Sequence, residues 1–193
     1  MPTQPRILAF AGSTRGESYN KKLVAIAARA ASAAGAHVTL IDLRDLDLPL
    51  FDEDREARDG LPASARRLKD LLLDHHGLLI SSPEYNSSVT AVLKNAIDWA
   101  SRPVAGAPPL ECFVGKVAGL MSASPGALGG LRGLVHLRAI LGNIQVLVLP
   151  EQVAVMRAHE AFSRTGDLAD PKQHGSVCRL AVRLVETVAK LRT

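Results

Sequence analysis

Short polar side chains follow an apolar segment near the start of the chain. The stretch 12–20 reads GSTRGESYN and lies between a β-rich run at 6–11 and a region with helical spacing. A loop that joins a strand to a helix presents backbone N–H groups and the positive helix end to an anion. Ser13, Ser18 and Asn20 add uncharged donors, which suit a phosphate that is held rather than transferred. The pattern predicts a site for a terminal phosphate.

Two other phosphate motifs are absent from the sequence. Neither the Walker pattern GxxxxGK[ST] nor the dinucleotide pattern GxGxxG occurs, so phosphoryl transfer is not predicted. A simpler interpretation of the first loop stays open, in which Ser18 only caps the helix and Gly12 only makes a turn. For Ser18 taken alone, capping is the favoured interpretation.

The second loop lies in the stretch 82–103, SPEYNSSVTAVLKNAIDWASRP. Pro83 stiffens the exit from a buried strand, and Tyr85 and Asn86 are expected to enter the crevice beside it. Backbone amides and Asn86 could bond the polar rim of a flat heteroaromatic ring, with Pro83 and Tyr85 as walls. An ordinary turn closed by Asn86 would explain the same residues, so both interpretations stay open.

The third loop, 122–133, reads SASPGALGGLRG. Its glycines at 126, 129 and 130 allow positive φ angles and a close approach of the backbone to a ligand. Plain connecting coil is the alternative interpretation. A ligand-binding role is better supported because the loop follows the strand that should lie beside the other two loops.

Apolar segments of two lengths alternate along the chain and indicate the elements that position these loops. Strands are predicted at 6–11, 37–43, 77–82, 116–122 and 144–149, and helices at 18–34, 62–75, 89–100, 130–141 and 175–191. Continuously apolar strands between helices indicate a doubly wound α/β fold, with a five-stranded parallel sheet in the order 2-1-3-4-5 and helices on both faces. We expect residues 1–193 to form a single domain.

Composition narrows the function classes. The charges, 23 Lys and Arg against 19 Asp and Glu, are scattered, which argues against nucleic-acid binding. Cys112 and Cys178 lie far apart without a metal or redox spacing, so buried free thiols are expected. No run approaches the roughly 20 apolar residues of a membrane span, and the N-terminus does not read as a signal peptide. A cytoplasmic location is therefore predicted.

With these loops defined, the sequence resembles the NADPH-dependent FMN reductase family, which includes quinone, chromate and azo-dye reductases of flavodoxin-like fold. GSTRGESYN fits the family's phosphate loop GSxRxxSxN, and SPEYN followed by LKNAIDW fits its second signature. The family usually carries Pro-Gly where this chain has Thr90 and Ala91, so the start of the following helix is left open. His75 and His76 replace an Ala-Asp pair and are interpreted as surface residues.

The resemblance implies FMN as cofactor and assigns residues to its parts. The phosphate would be held by Ser13, Arg15, Ser18 and Asn20; the ribityl chain and ring would contact Pro83, Glu84, Tyr85, Asn86 and Ser88; and the ring would be flanked by Ser122, Ser124 and Gly126. Arg15 is also expected to face NADPH. No metal site is predicted.

The implied reaction passes hydride from NADPH, or NADH, through FMN to a small acceptor, with a quinone favoured. One cleft would serve both substrates in a ping-pong order, and no catalytic side chain is assigned. Homodimers or homotetramers built through the helices 89–100 and 130–141 are expected. His136, in the second of these helices, is interpreted as a packing or interface residue.

Two other function classes fit the sequence less well. A flavodoxin-type electron carrier would share the fold, but such carriers present an acidic face, whereas this chain has a net charge of +4. A hydrolase has less support, because Ser163 stands where HExxH needs its second His and no GxSxG follows a strand.

Overall fold

A computed structural model describes residues 4–192 and contains one parallel sheet. Its strands are β1 (Arg6–Ala11), β2 (His37–Asp42), β3 (Gly77–Ser81), β4 (Val117–Ala123) and β5 (Leu147–Val155). They lie in the order β2-β1-β3-β4-β5, and every pair is parallel. The predicted flavodoxin-like topology is confirmed.

Helices cover both faces of the sheet. The helices within residues 4–192 are α1 (Tyr19–Ala33), α2 (Glu53–Asp59), α3 (Ala63–Leu73), α4 (Ala91–Ala100), α5 (Leu131–Asn143), α6 (Ala158–Ala161) and α7 (Pro171–Leu191), with a 3-10 turn at Leu43–Leu46; α2 buries no residue. Alternate residues of β1 point to opposite faces: Ile7 and Ala9 join the core under α1 and α7, and Leu8 and Phe10 join the core under α3, α4 and α5. Burial on both faces explains why the inner strands are continuously apolar.

Two predicted boundaries were wrong. The fifth strand was expected at 144–149 but runs from Leu147 to Val155, with a register irregularity opposite Ala118 to Leu120. It is an edge strand, so Pro150 and the exposed Glu151 are tolerated, and together with Gln152 they interrupt its apolar pattern. The last helix begins at Pro171 rather than 175, because Asp170 caps it by accepting from the Lys172 N–H at 2.9 Å.

The interpretation of His75 and His76 as surface residues was also wrong. His75 is only 3% exposed, and its ring bonds the Leu71 carbonyl at 2.6 Å and the Thr39 hydroxyl at 2.7 Å. A carbonyl can only accept, so Nδ1 carries the proton and Nε2 accepts from Thr39. His76 is half-buried and its Nδ1 accepts from the Arg6 N–H. Both residues close the amino edge of the sheet, where α3 passes into β3.

The two cysteines are free thiols in different surroundings. Cys112 is buried, and burial raises the pKa of its thiol. Cys178 is only half-buried, which corrects the expectation that both would be buried. None of the helices within residues 4–192 has the length and apolar composition needed to cross a membrane.

Candidate functional site

Three loops meet in one cleft at the carboxyl edge of the sheet. They follow β1, β3 and β4, and these strands are neighbours in the sheet. The cleft lining includes many of the residues proposed from the sequence: Ser13, Arg15, Ser18, Asn20, Pro83, Glu84, Tyr85 and Ser124. Tyr19, Ala123 and Pro125 also line it and were not predicted. Asn86, Ser88, Ser122 and Gly126 lie outside this lining.

The first loop leaves its donors open toward the cleft. Ser18 occupies the N-cap position of α1, but its side chain makes no capping hydrogen bond. Among the hydrogen bonds of residues 4–192, none uses the backbone N–H groups of Tyr19 or Asn20. The Arg15 guanidinium has neither a hydrogen bond nor an ion pair in that part of the chain. An anion would therefore meet a helix N-terminus, a hydroxyl and a cation with no competing partners.

The Asn20 side chain makes three hydrogen bonds within the protein. Its Oδ1 accepts from the Ser81 hydroxyl at 2.8 Å and from the Ala123 N–H at 3.0 Å, and its Nδ2 donates to the Ala123 carbonyl at 2.8 Å. The side chain thus ties the start of α1 to the ends of β3 and β4. Its assignment to the phosphate stays a prediction, and the hydrogen bonds show it fixing the floor of the cleft.

The second loop folds back on itself in a tight hairpin. Tyr85 and Ser88 exchange two backbone hydrogen bonds of 3.0 Å, and Asn86 and Ser87 between them have φ angles of 49° and 66°. The turn therefore spans residues 85–88, and Asn86 lies inside it rather than closing it. The same turn carries Tyr85 to the cleft with its side chain largely exposed, while Asn86 lies outside the lining.

Glu84 anchors this loop to the start of α5. Its Oε2 accepts from the Gly133 N–H at 3.0 Å, and its Oε1 accepts from the Arg132 guanidinium at 2.6 Å. Burial alone raises the pKa of Glu84, but these hydrogen bonds outweigh it and hold the pKa below its ordinary value. The charged carboxylate also suits the positive N-terminus of α5.

The third loop contacts the end of β4 closely. Gly130 has a φ of 89°, and a Cβ added there would lie 1.9 Å from the Ser122 Oγ. That Oγ is buried and is the one buried side-chain oxygen or nitrogen without a partner in residues 4–192. Ser122 therefore sits behind the cleft, while Ser124 lines it and accepts from the Gly126 N–H at 3.3 Å.

Thr90 caps the start of α4, although the family usually carries Pro-Gly where this chain has Thr90 and Ala91. Its Oγ1 accepts from the Leu93 N–H at 3.2 Å and donates to the Gly12 carbonyl at 2.7 Å. Helix α4 therefore starts at Ala91 with a side-chain cap, and the same hydroxyl connects the first loop to the second.

His136, at the exposed side of α5, shares a hydrogen bond of 2.9 Å with the Ser88 hydroxyl.

A larger groove exists but has the wrong construction for a phosphate site. It measures about 550 Å³ and lies between β5 and α7, whereas the cleft at the carboxyl edge measures about 230 Å³. Arg179 and Arg183 line the groove together with Glu151 and Glu186, so charges of both signs face it. The groove also offers no helix N-terminus. The smaller cleft is the better candidate because its donors converge and are free.

The donors in the cleft fit FMN. The open N–H groups, Ser18 and Arg15 suit a dianionic phosphate, and the adjoining walls of Pro83, Tyr85 and the third loop suit a flat ring. No side chain of phosphoryl-transfer type accompanies them. The residues present therefore match a phosphate that stays in place on a bound cofactor.

Comparisons with known proteins agree with this fit. A family model described as NADPH-dependent FMN reductase matches residues 5–160. The chain is 35% identical over 188 residues to an NAD(P)H-dependent FMN reductase of Pseudomonas aeruginosa, covering 97% of each protein. It is 32% identical over 176 residues to a quinone reductase of Escherichia coli, covering 88% of each. Among solved structures, the flavoenzyme NAD(P)H:(acceptor) oxidoreductase from Paracoccus denitrificans matches with a TM-score of 0.81 and 28% identity, over 96% of this chain and 98% of that one.

Proposed function

The chain belongs to the NADPH-dependent FMN reductase family, and from that premise we propose that it reduces a quinone with NADPH through FMN held in the cleft. The observation that carries the proposal is the set of unpaired donors at the start of α1, next to walls for a flat ring. A quinone is favoured as acceptor because a flat ring can stack in the same cleft and accepts electrons in pairs. The quinone reductase of E. coli is a relative with that activity in its name.

The residues of the chain act by binding and orienting. FMN, when bound, supplies hydride transfer between a nicotinamide and the acceptor. Ser13, Arg15 and Ser18 would hold the phosphate, while Pro83 and Tyr85 would confine the ring. Glu84 is engaged by Arg132 and Gly133, so it is not a free proton donor. No catalytic acid or base is proposed, and catalysis rests on positioning.

Anaerobic reduction tests the proposed activity directly. The purified protein should be yellow, should bleach on addition of NADPH, and should regain its colour when a benzoquinone is added. An electron carrier of the flavodoxin type would hold FMN but would not be bleached by NADPH alone. That result would replace the reductase with the carrier.

Steady-state kinetics test the shared cleft. If NADPH and the quinone use the same face in turn, double-reciprocal plots at several quinone concentrations should be parallel. Intersecting lines would mean that both substrates are bound at once, and would reject the ping-pong order while leaving the reductase activity standing.

The assembly of the protein is part of the proposal. We propose a homodimer or homotetramer formed through α4 and α5, since Leu131 and Val135 on α5, Leu128 before it and Tyr85 beside it are exposed apolar side chains. Contiguous exposed apolar residues often mark an interface. Light scattering at micromolar concentration should report more than one chain per particle, and a strict monomer would refute this part.

Two further points complete the proposal. We propose that residues 1–193 act as one FMN-binding domain, because both core clusters pack on the same sheet. A cytoplasmic location is proposed because Cys112 and Cys178 are free thiols, which persist in a reducing compartment.

A further inference from the structure

We propose that Tyr19, supported by Phe162, is a positioning residue that holds the Arg15 guanidinium where it can bind the FMN phosphate. The inference rests on the proposed function and concerns two aromatic residues to which no role has been assigned. It predicts that the Tyr19 ring strengthens binding of the cofactor's phosphate and does not affect binding of the flavin ring.

The Tyr19 ring contacts both the Arg15 guanidinium and the Phe162 ring. The Cζ atom of Arg15 lies 5.3 Å from the centroid of the Tyr19 ring. On Tyr19, the Phe162 ring stacks at a centroid distance of 5.8 Å and an interplanar angle of 11°. A guanidinium within about 6 Å of an aromatic centroid is attracted by the negative face of the ring. Arg15 and Tyr19 both line the cleft.

The pair of Tyr19 and Phe162 is anchored in the fold. Phe162 follows α6 and forms an isolated antiparallel bridge with Leu168, which is 6% exposed and belongs to the core. The Ala169 N–H also donates to the Ala161 carbonyl at 2.9 Å. Both Tyr19 and Phe162 pack against the core under α1 and α7. The aromatic pair is thus a platform packed against the core, whereas Arg15 is an exposed residue of a loop.

The platform supplies what Arg15 otherwise lacks. Within residues 4–192 the guanidinium makes no hydrogen bond or ion pair, and it lies over the Tyr19 ring. An arginine side chain loses considerable rotamer freedom when it binds a ligand. A cation already held over a ring loses less of that freedom, and it keeps its N–H groups free for phosphate oxygens.

Binding of FMN and of riboflavin to the flavin-free protein tests the inference. Riboflavin has the same ring and ribityl chain but no phosphate. Tyr19→Leu should weaken FMN binding by about 3- to 30-fold, the range expected for a cation–π contact, and should change riboflavin binding by less than about twofold. Tyr19→Phe keeps an aromatic face and should stay within about twofold for both ligands.

A double-mutant cycle assigns the effect to Arg15. Arg15→Ala should weaken FMN binding, and Tyr19→Leu should add little in that background because the cation it positions is gone. Phe162→Leu should lower FMN affinity less than Tyr19→Leu, since it loosens the support without removing the ring under Arg15.

The chain offers a matched control. Arg102 lies 5.1 Å from the centroid of the Phe51 ring, a pair of the same kind outside the cleft lining. Phe51→Leu should leave the ratio of FMN to riboflavin affinity unchanged. If loss of an aromatic ring lowered affinity only by loosening the fold, Phe51→Leu would weaken the binding of both ligands as well.

The outcomes separate the inference from the function. An equal loss of FMN and riboflavin in Tyr19→Leu would overturn the inference, and so would unchanged FMN binding. A folded wild-type protein that binds neither ligand would overturn the proposed function itself. Selective loss of FMN in Tyr19→Leu, absent in Tyr19→Phe and in Phe51→Leu, supports the inference.

Discussion

At the scale of single residues, Glu84 and Gly130 show how the cleft keeps its shape. Glu84 joins the second loop to α5 through Arg132 and the Gly133 N–H. Gly130 lets the third loop pass over Ser122 at a distance that no other residue permits. Neither residue has to touch the cofactor for the site to depend on it.

The low pKa of Glu84 predicts a specific dependence of stability on pH. A carboxyl whose pKa is lower in the folded state stabilises the fold fully above its ordinary value of 4.5, and the stabilisation is lost as pH falls through the folded pKa. Glu84→Gln should cost about 1–3 kcal/mol near neutral pH and much less in acid. Urea unfolding at several pH values measures this. A constant cost at every pH would show that the charge of Glu84 is unimportant.

Alanine substitutions of the glycines at the two ends of α5 should change the stability of the protein in opposite directions. Gly130→Ala should destabilise the protein by about 3 kcal/mol or more, because the new Cβ would meet Ser122 and the φ of 89° is strained for alanine. Gly142→Ala, in α5 with open space around it, should stabilise by about 0.5–1 kcal/mol. Thermal unfolding compares them. A tolerated Gly130→Ala would mean that the third loop can move away from β4.

At the scale of elements, α4 and the first loop depend on each other. The Thr90 hydroxyl caps α4 and donates to the Gly12 carbonyl, so one side chain serves a helix start and the phosphate loop. A Cβ on Gly12 would lie 3.0 Å from Leu93 of the same helix. The first turn of α4 is therefore packed against the loop that is proposed to hold the phosphate.

Thr90→Val should show the effect of losing the hydroxyl's hydrogen bonds without a change in side-chain volume. Valine has the same shape but no hydroxyl, so we expect a loss of about 1–3 kcal/mol in stability and weaker FMN binding. Thr90→Ser keeps the hydroxyl and should retain most of both. Calorimetry and FMN titration give the two readouts. Equal FMN affinity in Thr90→Val and wild type would show that the phosphate loop holds its shape without the hydrogen bond to Gly12.

Some of these elements could be predicted from the sequence and others could not. The inner strands were predictable because burial on both faces makes them continuously apolar, and the three loops were predictable because they follow those strands. The edge strand β5 was predicted with the wrong bounds, since Pro150, Glu151 and Gln152 interrupt its apolar pattern. Tyr19 could have been noted as an aromatic residue at the start of α1, but its stacking on Phe162 joins distant parts of the chain. No local pattern encodes such a contact.

At the scale of the whole molecule, the two edges of the sheet have different roles. The carboxyl edge holds the cleft, and the amino edge is closed by buried polar groups. There the Lys116 ammonium donates to the His75 carbonyl at 2.5 Å, and burial lowers the pKa values of both side chains. Stability and ligand binding should therefore respond separately to changes at the two edges.

His75 gives the test of that separation. Because its pKa is lower in the folded state, its contribution is full above the ordinary value of 6.5 and is lost as pH falls below it. The wild type should lose stability as pH falls below about 6.5, with His75 contributing at most about 1.4 kcal/mol per pH unit. His75→Leu should flatten this slope and leave FMN affinity unchanged. A changed FMN affinity would show that the two edges are coupled.

The proposed activity requires that FMN be held in the cleft at the carboxyl edge. The most direct measurement is an equilibrium titration of the folded, flavin-free protein with FMN, followed by quenching of flavin fluorescence. We predict saturation at one FMN per chain and markedly weaker binding by Arg15→Ala. A folded protein that leaves FMN fluorescence unchanged would contradict the account.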